Sequence, residues 1–353
     1  MAEDLAESFG GGDEIRFERR GAAGIVTLAR PKALNAVTHG MVLALERALD
    51  AWRDDRAVEL VVIKAEGRAF SAGGDIIDIY NAGRTGKLPT KFFADEYRLN
   101  AKIHAFPKPY VAIIDGIAMG GGVGVSYHGS HRVVTENAAF AMPECGIGFF
   151  PDVGGSYLLP RLKGAYGLYL GLTGVRAKRG DQCWGGLATH AIDAAGVPPL
   201  LEALIQGADV DRTLAAHTVK PEREMDESRS HAMNLHFSLG SVADIVASLK
   251  EAEARDEFAR DTLDLLRRKS PTSLLVAFDQ IAAGAMLTME DCMRMEYRIV
   301  SRMLAGADFY EGIRAAVIDK DQSPRWSPAT LGEVSAEAVK AHFAPLPGGE
   351  LEL

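Results

Sequence analysis

The strongest constraint on the fold is a pair of uninterrupted apolar runs, Leu60-Val61-Val62-Ile63 and Pro109-Tyr110-Val111-Ala112-Ile113-Ile114. A strand with one face in water alternates apolar and polar residues, because successive side chains point to opposite sides. A strand with no polar interruption belongs to a sheet covered on both faces, the habit of parallel strands joined by helices. Gly24-Ile25-Val26-Thr27-Leu28-Ala29 is a further strand upstream, ended by the break at Pro31. The segment after it predicts a helix with Thr38 as N-cap and Met41, Leu45, Leu49 and Trp52 on one face. His131-Arg132-Val133-Val134 and Ala139-Phe140-Ala141-Met142 read as two more short strands. Strands alternating with helices predict an α/β architecture.

The character changes after about residue 200. Val219-Lys220-Pro221-Glu222-Arg223-Glu224-Met225-Asp226-Glu227 is charged and breaks the pattern, as a linker does. Beyond it the chain reads as helical: Ser241 caps Val242, Ile245, Val246 and Leu249, and Pro271 opens another amphipathic run. The expected division is a core over residues 14–210 and a mainly helical region over 211–353. Residues 1–13, acidic and glycine-rich, are expected to fray.

At 353 residues, 47% hydrophobic and 25% charged, the composition is that of an ordinary globular protein. A formal charge of −9 argues against nucleic acid as a partner, which demands a basic field. Cys145, Cys183 and Cys292 lie far apart without CxxC spacing, so neither a disulfide framework nor a zinc site is expected. Met1-Ala2-Glu3-Asp4-Leu5-Ala6-Glu7 is acidic and has no apolar core, unlike a secretory signal or an Arg-rich transit peptide. No uncharged apolar run reaches about 18 residues, the length that spans a bilayer. The chain therefore reads as cytoplasmic, with no membrane partner.

Chemistry concentrates in a few segments. Met142-Pro143-Glu144-Cys145-Gly146-Ile147-Gly148-Phe149-Phe150-Pro151-Asp152-Val153-Gly154-Gly155 embeds two acids in apolar and glycine sequence. A buried charge needs a partner or a task. Two glycine-rich segments follow strands: Ala69-Phe70-Ser71-Ala72-Gly73-Gly74-Asp75 and Met119-Gly120-Gly121-Gly122-Val123-Gly124. Each offers a backbone N–H where the chain leaves the sheet, and two such donors make an oxyanion hole. With carboxylates they are the parts of a site that stabilises an oxyanion and moves a proton.

In this order the segments resemble the enoyl-CoA hydratase/isomerase (crotonase) superfamily, over about residues 20–335. Arg30-Pro31-Lys32-Ala33-Leu34-Asn35-Ala36 is similar to its first coenzyme A loop, Phe70–Asp75 to its first oxyanion loop and Gly120–Gly122 to its second. The resemblance implies a crotonase-type ββα spiral core with a helical C-terminal region. It implies an oxyanion hole from the amides of Gly74 and Gly121, and coenzyme A contacts at Lys32, Ala33, Leu34, Ala72, Asp75 and Ile76. Arg30, Lys32 and Arg68 are the basic residues near that loop and candidates for its phosphates.

One departure separates the branches. A hydratase adds water with two glutamates, and the first belongs at the position of Gly124, which carries no acid or base. The second corresponds to Glu144, and Asp152 is added. That pair, with Phe93-Ala94-Asp95-Glu96-Tyr97 and Ile318-Asp319-Lys320-Asp321-Gln322-Ser323-Pro324, resembles the branch that hydrolyses 3-hydroxyisobutyryl-CoA in valine catabolism. By that resemblance Glu144 and Asp152 are the reacting pair, and Glu96, Gly121, Glu144 and Asp152 contact the substrate. Coenzyme A is part of the substrate; no separate cofactor and no metal are implied. The superfamily often assembles through its C-terminal helices, so a homo-oligomer is an expectation.

Rival readings are a hydratase or isomerase on another acyl-CoA, and a non-catalytic binding protein on the same fold. A serine hydrolase is a weaker rival: Gly124-Val125-Ser126-Tyr127-His128 has His128 where the G-x-S-x-G elbow requires glycine. Ser126 reads instead as the start of the helix after the second glycine segment. No G-x-G-x-x-G register fits the glycine run, which argues against a dinucleotide site.

Overall fold

A computed structural model describes residues 5–86 and 88–353. Its contacts divide the chain into two interleaved units. The first comprises Met1–Asp75, Asp95–Ala141 and Ala177–Glu224; the second comprises Ile76–Ala94, Met142–Arg176 and Met225–Leu353. This differs from a single division near residue 210, because the chain passes between units several times. The charged segment read as a linker does hold one of these crossings, between Glu224 and Met225.

The first unit holds the strands, in chain order β1 (Leu5–Glu7), β2 (Ile15–Arg20), β3 (Ala23–Leu28), β4 (Leu60–Ala65), β5 (Ala69–Ser71), β6 (Tyr110–Ile114), β7 (Ile117–Met119), β8 (His131–Val134), β9 (Ala139–Ala141), β10 (Ala177–Lys178) and β11 (His190–Ala191). Among the described residues they form a sheet ordered β1-β2-β3-β4-β6-β8-β11 and a smaller one ordered β10-β9-β7-β5. The uninterrupted apolar runs are β4 and β6, paired parallel with Val62 opposite Val111. From β3 through β4, β6 and β8 to β11 the pairing is parallel throughout. Ile25, Val62, Val111, Ile113 and Val133 pack into one core with Leu200, Leu204 and Leu214.

The helix His39–Asp54 starts where its cap predicts: Thr38 Oγ1 accepts the Met41 amide at 3.2 Å. Met41, Leu45, Leu49 and Trp52 are all buried. Trp52 reaches β3, where a side chain on Gly24 would collide with its indole ring. The expectation of a frayed N-terminus fails over residues 5–13. β1 pairs antiparallel with β2, the Trp52 indole N–H donates to Glu7 at 2.8 Å, and the Phe9 ring stacks edge-on against Phe17 and Trp52. One aromatic residue in a polar segment supplies the anchor that composition hides. Residues 1–4 lie outside the described part.

The second unit is helical. Helices Val242–Ala252, Pro271–Gly284 and Met289–Met303 are capped by Ser241, Ser270 and Thr288, each accepting an amide three residues on. The stretch Ile318–Pro324 follows a π-turn at Arg314–Ile318 and curls around one side chain. The Arg314 guanidinium donates to Asp319 at 2.6 Å and Asp321 at 2.7 Å, and it also binds Glu311. No helix is long and apolar enough among the described residues to cross a membrane.

Candidate active site

In the first unit, β5 runs into Ala72-Gly73-Gly74-Asp75, and this turn is laced to the loop before helix His39–Asp54. Ala72 donates to the Leu34 carbonyl (2.9 Å), Val37 to Gly73 (2.8 Å) and Asp75 to Val37 (3.0 Å). The Gly73 carbonyl and Asp75 amide make the bridge to Val37, which leaves the intervening Gly74 N–H unused among the described residues. Gly73 has φ +119, a conformation that glycine supplies without strain.

The second glycine segment follows β7 in the same way. Gly120, at φ +46, turns the chain into the short helix Gly121–Gly124. Gly121 is the first residue of that helix, so its N–H has no carbonyl one turn back to receive it. A β-carbon placed on Gly121 would stand 3.2 Å from the Gly74 nitrogen and 2.8 Å from Glu96 Oε1. The structure thus brings together Gly74, Gly121 and Glu96.

Glu96, on helix Thr90–His104, is 2% exposed, although Asp95-Glu96-Tyr97-Arg98 reads as a solvated face. Asp95 is buried beside it and is bound by His39 at 2.6 Å and by Arg98. Asn100, one turn further along, is fully buried with neither amide atom bonded among the described residues. Sequence reading missed it, because an isolated asparagine carries no pattern.

The expected coenzyme A residues are built as a rigid loop. Asn35 is buried, holds the Arg30 amide and donates to the carbonyls of Glu66 and Ala69, each at 2.8 Å. Lys32 and Ala33 are exposed and Leu34 and Ala72 half-buried. Asp75 is bound by Arg30 at 3.1 Å, and Arg30 also binds Glu14 at 3.0 Å. Arg30 is therefore paired within the protein, while Lys32 and Arg68 are exposed. Ile76 opens the helix Ile76–Arg84 in the second unit.

The second unit carries the acid pair. Glu144 begins a 3-10 turn over Glu144–Ile147, closed by Gly148 at φ +69. It is 6% exposed, and its Oε2 has no hydrogen-bond partner among the described residues. Burial pushes its carboxyl well above the ordinary carboxylate range, the charges of Asp152 and Glu296 add to this, and Lys269 opposes it. Asp152 is 4% exposed. Val153 at φ +49 and Gly154 at φ +87 then turn the chain into the short helix Gly155–Leu158. Glu296, from helix Met289–Met303, accepts the amides of Gly154 and Ser156, both at 2.9 Å. The Pro151 carbonyl receives the Gln280 side chain. Nothing local to Asp152 points to Glu296, which stands 144 positions downstream.

A cavity of about 470 Å³ adjoins the Glu144 turn, lined in part by Pro143, Gly146, Lys269, Gly312, Ala315 and Gln322. Burial lowers the Lys269 ammonium below its usual range, against the raising charges of Cys145 and Glu144. Cys145 is buried and its thiol is pushed up to about 12, which removes it as a nucleophile. Ser126 is buried and donates to the Gly122 carbonyl at 2.6 Å, which disposes of the serine-hydrolase reading.

A sequence profile of enoyl-CoA hydratase/isomerase matches residues 23–343. The chain belongs to this family. The fold is accordingly of crotonase type. A solved carnitinyl-CoA dehydratase from Mycobacterium thermoresistibile superposes with a TM-score of 0.90 and 41% identity, covering 97% of this chain and 99% of the other. A solved enoyl-CoA hydratase from Rhodobacter sphaeroides gives 0.86 and 40%, covering 96% and 100%. Among curated members of the family, the mitochondrial 3-hydroxyisobutyryl-CoA hydrolase of Danio rerio is 44% identical over 97% of this chain and 92% of its own length. That of Homo sapiens is 41% identical over 96% and 91%.

These relatives are named as mitochondrial, which overturns the cytoplasmic reading. That reading rested on seven N-terminal residues and general composition. Import signals are short, separable and often removed, so the composition of a folded enzyme does not report its compartment.

Proposed function

We propose that this protein is an acyl-CoA thioester hydrolase that converts 3-hydroxyisobutyryl-CoA and water to 3-hydroxyisobutyrate and coenzyme A. The observation that carries the reading is the placement of acids. Glycine stands at position 124, buried in its helix, while Glu144 and Asp152 are both buried carboxyls. The named hydrolase relatives support the substrate, which would place the enzyme in valine degradation. The two solved neighbours named for hydration and dehydration support the alternative, the addition of water across a double bond. That chemistry calls for a second acid or base, and Gly124 supplies none.

In this proposal the Gly74 and Gly121 amides receive the thioester oxygen as it gains charge. Glu144 acts in its ionised form, either by adding to the carbonyl to form an anhydride that water then opens, or by taking a proton from the attacking water. Both routes add one water, break the C–S bond and return a proton to the departing thiolate. Asp152 orients the water and carries that proton. The Glu96 carboxylate, buried beside Gly121, accepts the 3-hydroxyl of the acyl group. The test is a thiol-release assay across a panel of 3-hydroxyisobutyryl-, 3-hydroxypropionyl-, isobutyryl- and crotonyl-CoA. Release from the hydroxylated thioesters supports the assignment, and hydration of crotonyl-CoA without thiol release overturns it.

A further inference from the structure

Asp152 lies on a loop whose backbone adopts a conformation few side chains favour. Val153 at φ +49 and Gly154 at φ +87 are consecutive left-handed residues, and the first is β-branched. Such geometry persists only where the surroundings over-determine it. The helix that follows, Gly155–Leu158, is one turn long and has no side-chain cap of its own, since its N-cap is Gly154. The Gly155 amide donates to the Asp152 carbonyl at 2.7 Å, which leaves the amides of Gly154 and Ser156 without a backbone acceptor among the described residues.

Glu296 meets both needs at once. It comes from a different helix, is fully buried, and directs one oxygen to each amide: Oε2 to Gly154 and Oε1 to Ser156, both at 2.9 Å. Its two oxygens each accept one N–H, whereas an amide side chain offers a single acceptor oxygen. Gln280 holds the other side of the loop through the Pro151 carbonyl. Between these two braces lies Asp152. A buried carboxylate without a cationic partner is costly, and a purely structural cap can be built from a neutral hydroxyl. Among the described residues no ion pair reaches Glu296, and the carboxyls of Asp152 and Glu144 lie near it.

We propose that Glu296 is a positioning residue for the reaction, acting through Asp152 by clamping the amides of Gly154 and Ser156. The inference rests on the assignment of Asp152 to the reacting pair. Glu296 is fully buried, so its effect should fall on turnover and not on acyl-CoA affinity.

The experiment is a double-mutant cycle with purified full-length variants Asp152→Asn, Glu296→Gln and the pair, assayed by thiol release from 3-hydroxyisobutyryl-CoA. Glu296→Gln should lower kcat by about 10- to 100-fold with KM within about threefold of wild type, since one amide loses its acceptor. The double variant should fall no more than about threefold below Asp152→Asn, because the clamp has nothing left to position. Effects that multiply in full, or an unchanged kcat in Glu296→Gln, would overturn the inference. Unimpaired Asp152→Asn would instead overturn the assignment beneath it. If Glu296→Gln does not fold, amide hydrogen exchange in the wild-type enzyme decides. The Gly154 and Ser156 amides must be protected as strongly as the core helices, and fast exchange at either contradicts the clamp.

Discussion

Gly121 lies so close to Glu96 that a methyl group on its α-carbon would stand 2.8 Å from Oε1 of that carboxylate. The same methyl would come to 3.2 Å from the Gly74 nitrogen. Two backbone donors and one carboxylate therefore share a space that only glycine leaves open.

Gly121→Ala tests that space by steric blocking. The backbone at 121 is not in the left-handed region, so alanine fits the local conformation and its methyl is the perturbation. Displacing an oxyanion donor typically costs on the order of 10²–10³ in rate. A fall of that order in kcat, with a thermal midpoint close to wild type, is expected. Wild-type kcat in this variant would remove Gly121 from the reaction.

Glu144→Gln should nearly abolish turnover while acyl-CoA binding survives. The amide keeps the shape and can act neither as base nor as nucleophile, and such groups are worth about 10²–10⁴ in rate. Isothermal titration with the substrate and a thiol-release assay separate the two effects. Retention of most of kcat would mean that Glu144 is not central.

The pH dependence follows from the same carboxyls. Burial holds Glu144 well above the ordinary range, so kcat should rise with pH as the group ionises, and the rise should sit well above the usual carboxylate range. Stability runs the other way. Glu296 is pushed up to about 8 by burial and by the Asp152 charge, against an ordinary value of 4.5. The folded state then holds its proton more tightly than the unfolded chain. Stability is fully present below about 4.5 and is lost as pH rises toward 8. Thermal melts across this window should show the midpoint falling, with a shallower fall in Glu296→Gln; a midpoint that climbs from pH 5 to 8 would contradict the protonation pattern.

Glu96→Ala should erode selectivity more than chemistry. Leaving a substrate hydroxyl without its buried acceptor costs about 1–3 kcal/mol, or roughly 5- to 150-fold. The ratio of kcat/KM for 3-hydroxyisobutyryl-CoA over isobutyryl-CoA should fall by that factor. An unchanged ratio would leave Glu96 with no part in recognising the hydroxyl.

Legibility followed burial. β4 and β6 were readable because strands covered on both faces need apolar residues at every position, and the cap at Thr38 because its hydroxyl has one local task. Glu144 and Asp152 stood out as acids among apolar and glycine residues. Glu96 was readable only by resemblance, since the charges beside it that mimic a solvated face are Asp95 and Arg98, a pair bound to each other. Glu296 was not readable at all. Its helix has an ordinary amphipathic pattern, and its partners are backbone amides, which leave no trace in side-chain sequence. The interleaving of the two units was hidden for a related reason: it is set by long-range contacts, while the composition changes only once, near residue 200.

The central claim is that water is delivered to a thioester and not to a carbon–carbon double bond. The most direct measurement follows free thiol and enoyl absorbance in parallel, with 3-hydroxyisobutyryl-CoA and crotonyl-CoA as separate substrates. The account predicts thiol release from the first, abolished in Glu144→Gln, and no appreciable loss of absorbance from the second. Rapid hydration of crotonyl-CoA with no thiol release from either substrate would contradict it.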